Sequence, residues 1–253
     1  MAKAKVVPTF RNLFKTAWRT FASNWSLLMG VAAVVAVPST LLNWLGGTQE
    51  VSIYTSLAAL FMNLALIWTI SNLDAKTKPS IKQAYYRGTA NFIVFFLVVA
   101  SLAAMLLPLV WGTSLYTTGM SSLAAISTLE KIVIALISLL LSAPSLFWLN
   151  RYFLALFALQ DEGTTPILAL RTSKKLVKGR GWVVWRRNLA IMLVMILLLL
   201  LPTVALLVSF EYSGNQVFLY LLQLVTTLVF LPFSYVYWFT LYRALIAVGS
   251  AHD

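Results

Sequence analysis

Between Asn188 and Phe210 the chain carries no charge, and the residues just ahead of that run carry many. Arg171-Thr-Ser-Lys174-Lys175-Leu-Val-Lys178-Gly-Arg180 leads through Trp182 and Trp185 to Arg186-Arg187. A helix needs about 20 apolar residues to cross the hydrocarbon core of a bilayer. Backbone groups in lipid must bond to one another, which favours a helix for a single run of this kind. The cations before it read as a collar on anionic headgroups, and the tryptophans as an aromatic belt at headgroup depth. The rest of the chain repeats this module, and that repetition is the strongest constraint on its fold.

Composition agrees. Charged residues make up 10% of the 253 residues and hydrophobic ones 60%, with a mean hydropathy of +0.86. Soluble domains carry about 25% charge. Six spans fill the chain and leave no stretch for a separate catalytic domain. The net charge of +12 would suggest nucleic acid in a soluble protein. Here the cations flank apolar runs, so anionic lipid and topology account for them, and no nucleic-acid partner is expected. With no cysteine, disulfides, thiol catalysis and cysteine metal sites are excluded. The N-terminus does not read as a cleavable signal peptide, because its apolar core starts only near Trp25 and no small-residue cleavage site follows.

Taken in order, residues 8–24 place Phe10, Leu13, Phe14, Ala17, Trp18 and Phe21 on one helical face, with Arg11, Lys15 and Arg19 on its flank. That pattern predicts a helix lying in the membrane plane; the alternative is a core-facing helix of a soluble bundle. Spans are expected at about 25–45, 51–73, 90–111, 132–149, 188–210 and 217–242. A short helix is expected at 80–88 and a loop at 112–128. Residues 152–159 can extend the fourth span outward. Pro38, Pro108, Pro202 and Pro232 are tolerated as kinks.

All but one of the nineteen Lys and Arg residues fall on one side of this topology: the N-terminal segment, the second-to-third and fourth-to-fifth connections, and the exits at Arg151 and Arg243. Lys131 is the exception, on the side that also holds Glu50, Glu130 and Glu211. The bias puts both termini in the cytoplasm of a cell-membrane protein.

One pattern occurs three times: a basic interfacial segment, a span with a late proline, a turn and a second span. The copies cover about 8–73, 79–160 and 166–249. Asp74 precedes Pro79 by the same interval as Asp161 precedes Pro166, and each proline is expected in a first helical turn. Ala17-Trp-Arg19, Ala84-Tyr-Tyr-Arg87 and Ala169-Leu-Arg171 occupy similar places. The fold expected is therefore all-α: a single polytopic bundle of six transmembrane helices, arranged as three repeated hairpins, each behind a basic interfacial helix.

The segment Asp161-Glu-Gly-Thr-Thr-Pro166-Ile-Leu-Ala169-Leu-Arg171-Thr-Ser173-Lys-Lys-Leu176-Val177-Lys178-Gly179-Arg180 resembles the hallmark connection of a bacterial six-span membrane family. That domain also occurs fused to glycerophosphoryl diester phosphodiesterases. In letters the resemblance covers this segment and, more weakly, residues 74–88; in architecture it covers nearly the whole chain. It implies a shared fold without the phosphodiesterase activity, which belongs to a separate soluble barrel.

Catalytic chemistry has few places to reside. His252 is the only histidine, which argues against a zinc site, a His-based triad or a His relay. No Gly-rich phosphate loop is present. None of the seven acids falls at mid-membrane, where coupled transporters usually keep one. No enzyme activity, cofactor or metal is expected. The candidate anionic-lipid contacts are Arg11, Lys15, Arg19, Lys82, Arg87, Arg171, Lys174, Lys175, Lys178, Arg180, Arg186 and Arg187. Asn63, Gln223, Thr226 and Thr227 are polar at depth; they are expected to join helices by hydrogen bonds or to line a cavity. Arg151 and Arg243 are expected to snorkel to the inner interface, or to pair with Asp161 or a lipid phosphate. Two functions fit: a non-catalytic module organising lipids or an unidentified protein partner through its basic cytoplasmic face, or a small-molecule or lipid transporter with its pathway between the repeats.

Overall fold

The structure, a computed structural model, describes residues 7–45, 49–73, 79–121, 127–160, 165–209 and 216–249. Among these residues there are helices and turns and no strand. Six stretches are long and apolar enough to cross a bilayer: Trp25–Trp44, Val51–Ser71, Ile81–Gly119, Thr128–Ala158, Gly181–Leu198 and Tyr220–Val248. Only 17% to 39% of each is buried, so most of their apolar surface faces outward; Ile93 and Leu140 are both 73% exposed. Leaving such surface in water costs about 25 cal/mol per Å², a cost that lipid removes. The protein is an all-α, multi-pass membrane protein.

Its helices are α1 (Phe10–Ser23), α2 (Trp25–Trp44), α3 (Gln49–Ser71), α4 (Ile81–Gly88), α5 (Phe92–Ser121), α6 (Thr128–Tyr152), α7 (Ala155–Ala158), α8 (Pro166–Val177), α9 (Gly181–Ser209), α10 (Gln216–Val225) and α11 (Leu231–Gly249). Two compact units contain them. One comprises residues 1–93, 160–162 and 185–253; the other comprises 94–159 and 163–184. These units do not coincide with the three expected copies, since the first draws residues from all three.

Local chemistry explains the starts of the short helices. In α4, the Gln83 N–H donates to Ser80 Oγ (3.2 Å) and the Ser80 N–H donates to Gln83 Oε1 (3.1 Å), satisfying donors that a helix start leaves unpaired. In α8, Thr165 Oγ1 accepts from the Leu168 N–H at 3.3 Å, and Pro166 takes the first helical position. Pro8 and Pro79 do not: they stand one residue ahead of the caps Thr9 and Ser80. There they shape an extended entry and supply no helical turn, which corrects the expectation for Pro79.

In the first unit α2 packs on α3, and Leu28, Val31, Leu64, Ile67, Leu241 and Leu245 make an apolar centre. The aromatic face of α1 packs on α11: Phe14, Trp18 and Phe21 surround Phe233 at ring-centroid distances of 5.4, 5.8 and 5.8 Å. Protein covers much of a face expected to meet lipid, because clustered aromatic pairs gain about 0.5–1.5 kcal/mol each beyond simple burial. Trp18 remains 53% exposed. The basic helices α4 and α8 pack on helices that precede them, α4 on α2 and α3, α8 on α6 and α7; α1, at the head of the chain, packs on α11. Ala17, Ala84 and Ala169 are all at 0% exposure in these contacts, because a methyl group lets the short helix approach closely.

α10 and α11 are joined by a single π turn, Thr226–Phe230, just ahead of Pro232. Proline lacks an N–H and its ring clashes with the carbonyl four residues back. A wider turn relieves that clash.

The second unit departs most from expectation. α5 continues through residues 112–121, where a loop was expected. Close packing outweighs the low helix propensity of those residues. A Cβ at Gly112 would collide with Ser142 Oγ and lie 2.6 Å from the Ser138 carbonyl; one at Gly119 would lie 2.9 Å from Ile134 Cγ2. Small residues on both helices bring the backbones together, as is common in membranes. At its other end α6 does not extend past Tyr152. The chain turns, and Leu154, Ala155 and Phe157 of the α7 region are buried at 0–1% exposure.

Candidate functional site

A cationic feature built from several elements lies where the end of α6 meets the corner between α8 and α9, within the second unit. α8 ends at Val177, and Lys178 adopts φ −57° and ψ 127°. Gly179 follows at φ +76°, and the Arg180 N–H donates to the Val177 carbonyl at 2.9 Å. This is a type II turn, whose third residue needs positive φ and hence glycine. The turn halts α8 and starts α9 at Gly181.

Two bonds fasten α6 into this corner. Ser173 Oγ, on fully buried Ser173, donates to the Arg151 carbonyl at 2.8 Å. Asn150 Nδ2 donates to the Gly181 carbonyl at 3.1 Å. Carbonyls at the end of a helix lack intrahelical donors, so the first bond satisfies a group that would otherwise need water. The clamp leaves a pocket of about 230 Å³. Phe147, Asn150 and Arg151 of α6 form one wall; Val177, Lys178, Gly179 and Gly181 form the other. The Arg151 guanidinium lies 5.8 Å from the Phe147 ring centroid, which holds the charge beside an apolar surface. The N-terminus of α9, the positive end of its dipole, adds to the same sign of potential.

The other expected contacts distribute as follows. Arg11, Lys15 and Arg19 are exposed on α1, Lys82 and Arg87 on α4, and Arg171, Lys174 and Lys175 on α8. Lys178 and Arg186 are exposed and Arg180 is half-buried. Arg187 is half-buried and does a different job: its Nη2 donates to the Val7 carbonyl at 2.9 Å, while Tyr237 Oη donates to the Arg187 carbonyl at 3.3 Å. It ties the N-terminal segment to α9. Arg243 is exposed and lies 4.6 Å from the Phe239 ring centroid. Asp161, considered as a partner for Arg151, lies outside the described residues.

Polar residues at depth are less engaged between helices than expected. Thr226 and Thr227 donate to Leu222 and Gln223 carbonyls of their own helix, at 2.7 and 2.9 Å, and Gln223 is exposed. Asn63 Oδ1 is buried without a hydrogen-bond partner. Interhelical polar bonds come instead from residues that were not singled out. Tyr85 Oη donates to the Val31 carbonyl at 2.7 Å, Tyr220 Oη to the Asn43 carbonyl at 3.1 Å, and the Leu109 N–H to Ser145 Oγ at 3.0 Å. Asn150 and Ser173, which build the pocket, were likewise not read as site residues; the Lys178-Gly179 pair was the local turn signal pointing to it. Among the described residues no cluster of His, Cys, Asp and Glu could hold a metal.

Comparison of the chain with protein-family models, with curated proteins and with solved structures gives no match.

Proposed function

We propose that the protein is a non-catalytic module of the cell membrane that gathers anionic phospholipid at a basic cytoplasmic surface. The observation that carries this reading is the exposure of cations on the three basic helices α1, α4 and α8, together with the Arg151–Lys178 pocket. Each cation near an anionic leaflet contributes about 1 kcal/mol. In this reading both termini are cytoplasmic, the short helices lie at headgroup depth, and the three helix triplets descend from one repeated unit. The likeness of the Asp161–Arg180 segment to the six-span family is then one of fold without activity. Native mass spectrometry of the full chain, extracted in mild detergent, tests the reading. Co-purified lipid enriched in anionic classes over the source membrane supports it; lipid in the proportions of the source membrane contradicts it.

A second reading, a transporter for lipids or small molecules, takes its support from Asn63, whose buried Oδ1 lacks a partner, and from the π turn at Thr226–Phe230. Liposome reconstitution with a fluorescent lipid and an impermeant quencher separates the two. Accelerated flip-flop favours transport, and rates equal to protein-free liposomes favour the module.

A further inference from the structure

We propose that the pocket between Arg151 and Lys178 is a selective site for a phosphomonoester lipid headgroup. The proposal rests on the anionic-lipid reading and goes beyond it, from a diffuse surface to one defined site. The two cations come from independent elements, the last turn of α6 and the turn between α8 and α9, and they face a common space of about 230 Å³. No acid is among its described lining residues.

Charge number sets the ligand class. A phosphomonoester carries about −1.5 to −2 at neutral pH, which two cations can balance. A phosphodiester carries a single charge and leaves one of them without a counterpart. Arginine offers a planar fork of donors to phosphate oxygens, and lysine adds a mobile point charge. Neither group needs to be assembled on binding. The backbone at Arg151 is held by Ser173, that at Gly181 by Asn150, and the turn carrying Lys178 by its glycine. Pre-organisation of this kind lowers the entropic cost of capturing a ligand.

Depth sets the source. Arg151 lies in the last turn of α6, a helix within a membrane-crossing stretch. Phe147, one turn earlier in the same pocket, is 61% exposed. An exposed apolar side chain lining the same pocket as two cations, one turn further into the span than Arg151, fits a lipid, whose headgroup takes the cations and whose chain takes the ring. A free phosphate ester would use the cations and gain nothing from the exposed part of the Phe147 ring.

The test uses the full chain in phosphatidylcholine nanodiscs doped with phosphatidic acid or with phosphatidylglycerol, and counts retained lipid by native mass spectrometry. The wild type is expected to prefer phosphatidic acid over phosphatidylglycerol about tenfold, the scale of one charge-assisted hydrogen bond. Lys178→Gln, in an exposed turn, is expected to remove the preference, as is Arg151→Gln. The triple variant Arg11→Gln, Lys15→Gln, Arg19→Gln is expected to lower total anionic retention and leave the preference intact. Equal retention of the two lipids with overall anionic enrichment overturns the selective site and leaves the proposed function standing. Loss of all anionic enrichment overturns both. If inorganic phosphate or glycerol 3-phosphate displaces phosphatidic acid at low excess, the ligand is a soluble phosphate and the lipid assignment falls.

Discussion

The hydroxyl of Ser145 on α6 accepts a 3.0 Å hydrogen bond from the backbone N–H of Leu109 on α5, the residue immediately after Pro108. A proline inside a membrane helix disturbs the bonding of the turn around it, and no water is present to make good the loss. Here the neighbouring helix supplies the acceptor. Ser145→Ala should therefore destabilise the protein by about 0.6 to 2 kcal/mol, read as a lower midpoint in detergent unfolding. In a Pro108→Ala background α5 can bond within itself, and the same Ser145→Ala change should cost much less. Equal costs in the two backgrounds would show that the bond has no connection with the proline.

Gly112 tests close packing in the same helix pair. A methyl group there collides with Ser142 Oγ and lies 2.6 Å from the Ser138 carbonyl. Gly112→Ala should cost about 1–3 kcal/mol. Ser142→Ala should recover part of that loss and no more, because the Ser138 backbone cannot move aside. Full recovery would place the whole clash on the hydroxyl.

Gly179 tests the turn that carries Lys178. Nothing lies within 4 Å of a Cβ at this position, so space is not limiting, yet its φ is +76°. Gly179→Ala should cost about 1–2 kcal/mol through backbone conformation alone. Gly179→Asn should cost less, since asparagine visits this region more readily. Because the turn positions Lys178, Gly179→Ala should also weaken the preference for phosphatidic acid more than it weakens total anionic retention.

Ionic strength should separate exposed cations from the pocket. At 1 M salt the Debye length is about 3 Å, so lipid gathered by Arg11, Lys15, Arg19, Lys82 and Arg87, all exposed, should be lost. Phosphatidic acid held at the pocket should be lost less completely, because the half-buried Arg151 is screened less than the exposed cations. Parallel loss of phosphatidic acid and phosphatidylglycerol with rising salt would remove the distinction between the two modes.

The six spans were legible in the residues because lipid leaves so little choice: a long uncharged run such as residues 188–209 satisfies its backbone only as a helix. The helices α1, α4 and α8 were also legible, from the periodicity of residues 8–24, the short helical stretch at 80–88 and Pro166 in a first helical turn. What they pack against was not. The partner of α1 is α11, at the far end of the chain, and periodicity in residues 8–24 reports a face without naming its neighbour. The helical extension from Gly112 to Ser121 was hidden for a related reason, since Gly112 and Gly119 there pack closely on α6, a contact that propensity does not report. The pocket depends on Asn150 meeting Gly181, 31 residues away, and a single sequence gives no sign of that meeting. Lys178 and Arg151 could each be read as cations near a surface; their convergence on one space required coordinates.

A lipid-gathering surface requires the basic segments to face one compartment. The chain has no cysteine, so Ser127→Cys and Lys175→Cys, both at exposed positions, each give a single reactive thiol. A membrane-impermeant maleimide applied to sealed cells is predicted to label the first directly and the second only after permeabilisation. Labelling of both thiols without permeabilisation, or of neither, would contradict the topology and with it the lipid-gathering surface.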